Sequence, residues 1–245
     1  MPILLSCAIG LRLESIMIDV LRAVDLGVAS HVLGNVLWIL IMMRGVLGGR
    51  NHAEKLEKLN DHLARWYRAT KVSTRLQGKI SLDRLRTQGQ WPKLKAKGAA
   101  TRHLAPYVLH LITTYQDGSD NDAMILALCK LLCRFYEILD SQPQFLAESA
   151  RAELPMLGQQ FAELCALLAK SAMEARAKLW KTNPKLHMWE HLTEHQAIQR
   201  GNPRYYWCYA DEDLVGRMVE VAKSVHPKTL ACSVLFKWLH VSFDA

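Results

Sequence analysis

Three histidines near the C-terminus, His187, His191 and His195, lie four residues apart, a spacing that places side chains on one face of an α-helix. Pro184 suits the first turn of such a helix and Asn183 suits its N-cap. Two imidazoles one turn apart can bind one zinc ion, but a usual zinc site needs a further cysteine or carboxylate, and the sequence identifies none. We therefore expect these histidines to pack and hydrogen-bond, and keep zinc binding as an alternative.

Carboxylates that could hold divalent cations occur near both ends of the chain, at Asp19 and at the run Asp211, Glu212 and Asp213. Each group also has a structural interpretation. Asp19 suits the N-cap of the apolar helix that follows it, and the three later acids suit the positive end of a helix dipole. Taken alone, these acids do not distinguish a cation site from two well-formed helix starts.

The formal charge of +8 is concentrated in one part of the 245-residue chain. Between Arg44 and Arg102 there are 15 Lys and Arg residues and four acids, a net charge of +11 that leaves −3 for the remainder. Such asymmetry favours a polyanion partner, above all nucleic acid, although a solvated basic face that only aids solubility has the same composition. The candidate nucleic-acid residues are Arg65, Arg68, Lys71, Arg75, Lys79, Arg84, Arg86, Trp91, Lys93, Lys95, Lys97 and Arg102.

Trp91 is the one aromatic residue in the most basic stretch, where it precedes Pro92 and three lysines. An aromatic ring among cations suits stacking on bases together with contacts to the phosphate backbone. The alternative is that Trp91 anchors its segment to the hydrophobic core.

Three segments together resemble the DDE transposases of cut-and-paste mobile elements, in particular those with a helical insertion inside an RNase H-like core. The first is IDVLRAVDLG at 18–27, in which Asp19 precedes Leu-Gly as the second catalytic acid of the family does, although Arg22 stands where the family usually has His. The second is PKLHMWEHL at 184–192, similar to a Pro-Lys-x-His-x-x-x-His element. The third is NPRYYWCYADEDLVG at 202–216, in which Glu212 matches the third acid.

The resemblance implies that Asp19 and Glu212 would share a site for Mg²⁺, in which two cations activate the nucleophile and stabilise the leaving oxygen. Only 18 residues precede Asp19, too few for the strand that carries the first acid and for the rest of the sheet. The resemblance therefore implies a transposase-derived fragment, without catalysis and with DNA as its partner. A nuclease completed by another chain and a helical scaffold without a nucleic-acid role are the alternatives.

The elements that would position these residues are mostly helices, because long periodic segments alternate with sparse Gly and Pro. We predict a mainly α multi-helix bundle, with one or two short strands near the N-terminus, such as Ile16–Ile18, if an incomplete RNase H-like core remains. Residues 1–50 form a strand and an apolar helix, 51–180 a helical bundle with a basic linker at 71–100, and 181–245 a C-terminal helical segment. Pro155 is expected to end or kink the helix that contains it.

Two further features bear on where the protein acts. The segment 26–43 has no formal charge and approaches the length of a membrane span, but its Gly, Ser, His and Asn residues favour a buried core helix, and we expect no membrane partner. The six cysteines form no Cys-x-x-Cys pair and suit small buried side chains in a reducing compartment. We therefore expect an intracellular protein, nuclear if it is transposase-like. The sequence does not indicate an oligomeric state.

Overall fold

The computed structural model describes residues 16–72 and 74–243, and describes the backbone alone at 210–213, 227 and 237–243. The described residues form nine helices, which confirms the mainly α multi-helix bundle. They are α1 Leu21–Met43, α2 His52–Thr70, α3 Leu82–Leu85, α4 Gly98–Tyr115, α5 Asp120–Ser141, α6 Glu148–Glu174, α7 at 185–200, α8 Tyr209–Lys223 and α9 Leu230–Phe243. The chain divides into two units between Tyr206 and Trp207, so that α8 and α9 form the second unit.

Helix α1 is apolar on nearly every side and forms the centre of the first unit. It packs against α4 and α7, and Leu33, Leu37 and Leu40 are fully buried. By length and composition α1 could cross a membrane, yet 78% of its most apolar window is buried inside the protein. This burial matches the prediction of a core helix.

Residues 16–19, the described residues just before α1, lie in irregular backbone, so the strand predicted at Ile16–Ile18 is wrong. Strand backbone groups need a neighbouring strand to complete their hydrogen bonds, and the described part of the chain has no strand at all. The side chain of Gln196 takes that place: its Oε1 accepts from the Ile18 N–H at 2.7 Å, and its Nε2 donates to the Ile18 carbonyl at 2.9 Å. A side chain on α7 therefore makes the backbone hydrogen bonds of Ile18 that a neighbouring strand would otherwise make.

Helix α2 and the segment after it follow local rules of the sequence. Asn51 caps α2 by accepting from the Glu54 N–H at 3.0 Å, and Glu54 accepts in return from the Arg50 N–H at 2.9 Å. The following segment 71–97 contains one short helix, α3, capped by Ser81. The segment is also packed, because four of its apolar side chains are buried: Leu76, Ile80, Leu85 and Leu94.

Helices α4, α5 and α6 pack in sequence order, and α7 lies across α6. Ser119 caps α5, accepting from the Asp122 N–H at 3.2 Å. Trp189 of α7 is fully buried, with its ring centroid 4.6 Å from that of Phe135 and 4.4 Å from that of Phe161. Helix α6 continues through Pro155, so of the two expected effects, an end or a kink, the helix end does not occur.

Candidate nucleic-acid interface

Asp19 lies at the start of α1 and accepts hydrogen bonds from its first turn. Oδ1 accepts from the Leu21 N–H at 3.1 Å, and Oδ2 accepts from the Arg22 N–H at 3.0 Å. This is the N-cap geometry that the sequence allowed as the simpler interpretation of Asp19. Lys185 is a cationic neighbour of the carboxylate, and Asp19 counters the lowering of the Lys185 pKa that burial causes.

Glu212 lies in α8, in the second unit, and its side chain is outside the described residues, as are those of Asp211 and Asp213. A shared Mg²⁺ site of Asp19 and Glu212 therefore stays a prediction. Among the side chains that the structure describes, no group of three or more His, Cys, Asp or Glu residues could hold a metal ion.

The three histidines of α7 form a row, as their spacing predicts. The Nε2 atoms of His187 and His191 are 3.0 Å apart, and the ring centroid of His195 is 5.3 Å from that of His191. His187 also lies 3.5 Å from the carboxylate of Glu190 through its other ring nitrogen, Nδ1. The short Nε2–Nε2 contact is a hydrogen bond between imidazoles, which agrees with the expected packing role.

Arg102 is the candidate nucleic-acid residue that the structure places inside the protein. It is 8% exposed, its Nη2 lies 2.5 Å from Oδ1 of Asp140, and its guanidinium lies over the ring of Tyr136, 5.1 Å from the centroid. A guanidinium buried in this way supports the packing of α4 on α5. Arg102 therefore does not belong to a surface that a polyanion could reach.

Three candidate residues in or near α3 form hydrogen bonds or an ion pair within their own segment. Arg84 donates to the Gln77 carbonyl at 2.6 Å, and Arg86 donates to the Gln90 carbonyl at 2.8 Å. Lys95 forms an ion pair with Asp83 at 3.1 Å, in which both side chains are largely exposed. Exposed pairs of this kind contribute little to stability and are screened by salt.

The remaining basic candidates lie at the surface. Arg65 and Arg68 line an open cavity of about 650 Å³ beside α2, together with Lys58. Lys93 is partly exposed. The other candidates in the segment 71–97, namely Lys71, Arg75, Lys79 and Lys97, are exposed.

Trp91 brings together cations from two distant parts of the chain. Its ring is partly exposed, with Nζ of Lys178 4.4 Å and Nζ of Lys181 5.4 Å from the centroid. Lys178 also donates to the carbonyl of Gly89, which ties the two segments together. Sequence reasoning missed both lysines, although the stretch 175–189 contains four Lys and Arg residues and no acid.

Two more lysines lie close to this group. Burial lowers the pKa of Lys185, and the positive charges of Lys93 and Arg22 lower it further. Burial also lowers the pKa of His31 to about 4, with further lowering by Lys93, Lys181 and Lys185. Positive charge therefore accumulates on this side of α1. We call Trp91, Lys93, Lys178, Lys181 and Lys185 the Trp91 patch.

A buried asparagine holds the two halves of the Trp91 patch against α1. Asn35 is fully buried, its Nδ2 donates to the Pro92 carbonyl at 3.4 Å, and its Oδ1 accepts from the Trp180 N–H at 2.9 Å. The Leu94 N–H donates to the Ser30 carbonyl at 2.8 Å. Trp180 itself adopts a positive φ of 52°, a conformation that non-glycine residues rarely adopt. Hydrogen bonds to α1 thus hold both backbone segments that carry the residues of the patch.

Comparison with protein-family models, with curated proteins and with solved structures finds no match for this chain. The resemblance to DDE transposases therefore stays a prediction that depends on three short segments.

Proposed function

We propose that this protein binds DNA without sequence preference, and that the Trp91 patch is the centre of its contact surface. The observation that carries the proposal is the meeting of Lys178 and Lys181 with Trp91, 87 to 90 residues earlier in the chain. Clustered ammonium groups bind phosphates and release counterions, and a partly exposed indole ring adds a stacking surface. The exposed cations of α2 and of the segment 71–97 would extend this surface.

The relationship to DDE transposases is part of the proposal, because it supplies DNA as the class of partner. A transposase-derived protein of this kind would act inside the cell, and in the nucleus where the cell has one. It would bind DNA without cutting it, since Asp19 caps a helix and has a cationic neighbour in Lys185.

The salt dependence of DNA binding tests the proposal. Fluorescence anisotropy with a labelled duplex is recorded from about 50 to about 200 mM salt, a range in which six to ten phosphate contacts lose roughly 10³- to 10⁵-fold in affinity. The double variant Lys178→Gln/Lys181→Gln removes two cations of the patch. Its slope of log K against log salt should be smaller in magnitude by about 1.8, since each phosphate contact contributes about 0.9.

The control is Lys130→Gln/Lys228→Gln, which removes the same charge from exposed lysines outside the Trp91 patch. It should leave the slope unchanged, because a local contact and not the net charge determines the number of released counterions. Equal slopes for the two double variants, or wild-type binding that does not depend on salt, would refute the Trp91 patch as the binding surface.

A second candidate function, a protein-interaction module, is favoured by the second unit. Its helices α8 and α9 pack on each other and leave large apolar side chains exposed, among them Val215 at 57% and Leu235 at 59%. Exposed apolar side chains on neighbouring helices are typical of surfaces that bind another helix. Size-exclusion chromatography with light scattering should then show an assembly that Val215→Ser/Leu235→Ser abolishes. A monomer at all concentrations would contradict self-association through this unit.

A further inference from the structure

A cavity of about 310 Å³ lies between α1, the second half of α6 and the turn that precedes α7. Most of its wall is apolar, formed by Val28, Val32, Ala166, Ala169, Met173 and Leu186. The volume is at the lower end of the range for small-molecule sites, and an apolar wall with a few polar groups is their usual composition.

His31, one of the residues that line the cavity, contains a buried nitrogen without a hydrogen-bond partner. Nδ1 of His31 is the single buried side-chain nitrogen or oxygen without a hydrogen bond among the residues that the structure describes. Buried polar atoms are nearly always hydrogen-bonded, and an unsatisfied one destabilises the folded state. The ring of His31 lines the cavity, so a ligand bound there would contact this imidazole.

The charges around the cavity have one sign. Lys170 and Lys181 line it, Lys93 and Lys185 lie near enough to act on His31, and the cavity wall contains no Asp or Glu. Burial keeps His31 neutral, so the imidazole can serve as a hydrogen-bond donor to an anion without adding a buried charge. An anionic group at the mouth of this cavity would meet two exposed ammonium groups and accept charge-assisted hydrogen bonds from them.

We infer that the cavity binds a small carboxylic acid with an apolar body, of the size of a medium-chain fatty acid. Its carboxylate pairs with Lys181 beside His31, and its hydrocarbon part packs on Val28, Val32 and Ala169. A monoanion suits the site because two ammonium groups and one neutral imidazole can satisfy a carboxylate, whereas an uncharged or cationic head group would leave the lysines unpaired. The cavity and the Trp91 patch would bind different partners, a carboxylic acid and DNA, although Lys181 contributes to both.

Isothermal titration calorimetry of the full chain, without DNA, tests this inference with three probes of equal chain length: decanoate, decanol and decyltrimethylammonium. Decanoate should bind at one site per chain, and the other two should bind roughly ten- to hundredfold more weakly, the factor expected for one charge-assisted hydrogen bond. Equal heats for all three probes would indicate unspecific adsorption and overturn the inference, as would the absence of binding by decanoate.

Two pairs of variants locate the site. Lys181→Met should weaken decanoate binding roughly ten- to hundredfold. Lys178→Met should leave it unchanged, because Lys178 contacts Trp91 and does not line the cavity. Ala169→Phe fills the cavity and should abolish binding, and Met173→Trp at the exposed rim provides a second block that leaves the core intact. Unchanged decanoate binding in both blocked variants would overturn the site. Since DNA is absent from these experiments, their outcome is independent of the proposed DNA binding.

Discussion

The replacement Gly34→Ala should separate the segment that carries Trp91 and Lys93 from α1. A Cβ atom at Gly34 would lie 2.5 Å from the Leu94 nitrogen and 2.6 Å from the Lys93 Cα. Both neighbours are backbone atoms, so no side-chain rotation can relieve the overlap, and the two chains must move apart. Three effects destabilise the folded state. The interior is overpacked, the 2.8 Å hydrogen bond from the Leu94 N–H to the Ser30 carbonyl is lost, and Leu94, which is 1% exposed, loses part of its burial.

The magnitude follows from these three terms. Overpacking of a filled interior costs about 1–3 kcal/mol, a lost hydrogen bond costs about 1 kcal/mol, and partial exposure of a buried Leu costs about 1 kcal/mol more. We therefore expect the free energy of unfolding to fall by about 3–5 kcal/mol. For a chain of this size that corresponds to a melting temperature lower by about 6–20 °C.

Urea unfolding followed by far-UV circular dichroism measures the loss of stability. The matched control is Gly216→Ala, another glycine within a helix, where a Cβ would meet nothing within 4 Å. That control should stabilise α8 by about 0.5–1 kcal/mol, because alanine has the higher helix propensity. If Gly34→Ala unfolds within about 0.5 kcal/mol of wild type, the close backbone contact between α1 and the Trp91 patch is refuted.

Five further replacements test individual side chains. His31 resists protonation in the folded state until about pH 4, whereas the unfolded chain binds this proton below about pH 6.5. Stability should therefore fall as the pH is lowered through this window, by about 1–2 kcal/mol after allowance for partial exposure, and His31→Gln should lose this pH dependence in urea titrations at several pH values. Arg102→Gln should lower the free energy of unfolding by about 1–2 kcal/mol in the same assay and leave DNA affinity unchanged. Arg65→Gln should leave the free energy of unfolding unchanged and lower DNA affinity. Reduced DNA affinity in the Arg102 variant would show that Arg102 belongs to the binding surface. Asp19→Ala should cost about 1 kcal/mol through loss of the α1 cap, and Asp19→Asn only a few tenths, so equal costs would argue against the capping role.

Local patterns in the sequence determined several elements of this protein. The Leu59 and Leu63 stripe with Asn51 before it defines α2, and Ser81 and Ser119 begin α3 and α5, because capping and helical periodicity depend on residues within a few positions. The mainly α class followed from the same short-range rules. These interactions form between neighbours in the chain, so their residues are sufficient to predict them.

Tertiary packing decided the elements for which local rules gave the wrong answer. Pro155 removes one backbone hydrogen bond, yet α6 continues, because Leu154 and Phe161 on either side are fully buried and their packing offsets a cost of about 3 kcal/mol. Ile18 forms no strand, because Gln196, 178 residues away, satisfies its backbone groups.

The candidate sites depend on tertiary structure in the same way. The sequence indicated Trp91 and an excess of positive charge, but the placement of Lys178 and Lys181 beside that ring required the hydrogen bonds of Asn35 to both segments. The cavity beside His31 likewise exists only where α1, α6 and the turn before α7 meet. Contacts between residues far apart in sequence depend on how buried surfaces pack against each other. Composition and periodicity do not predict that packing.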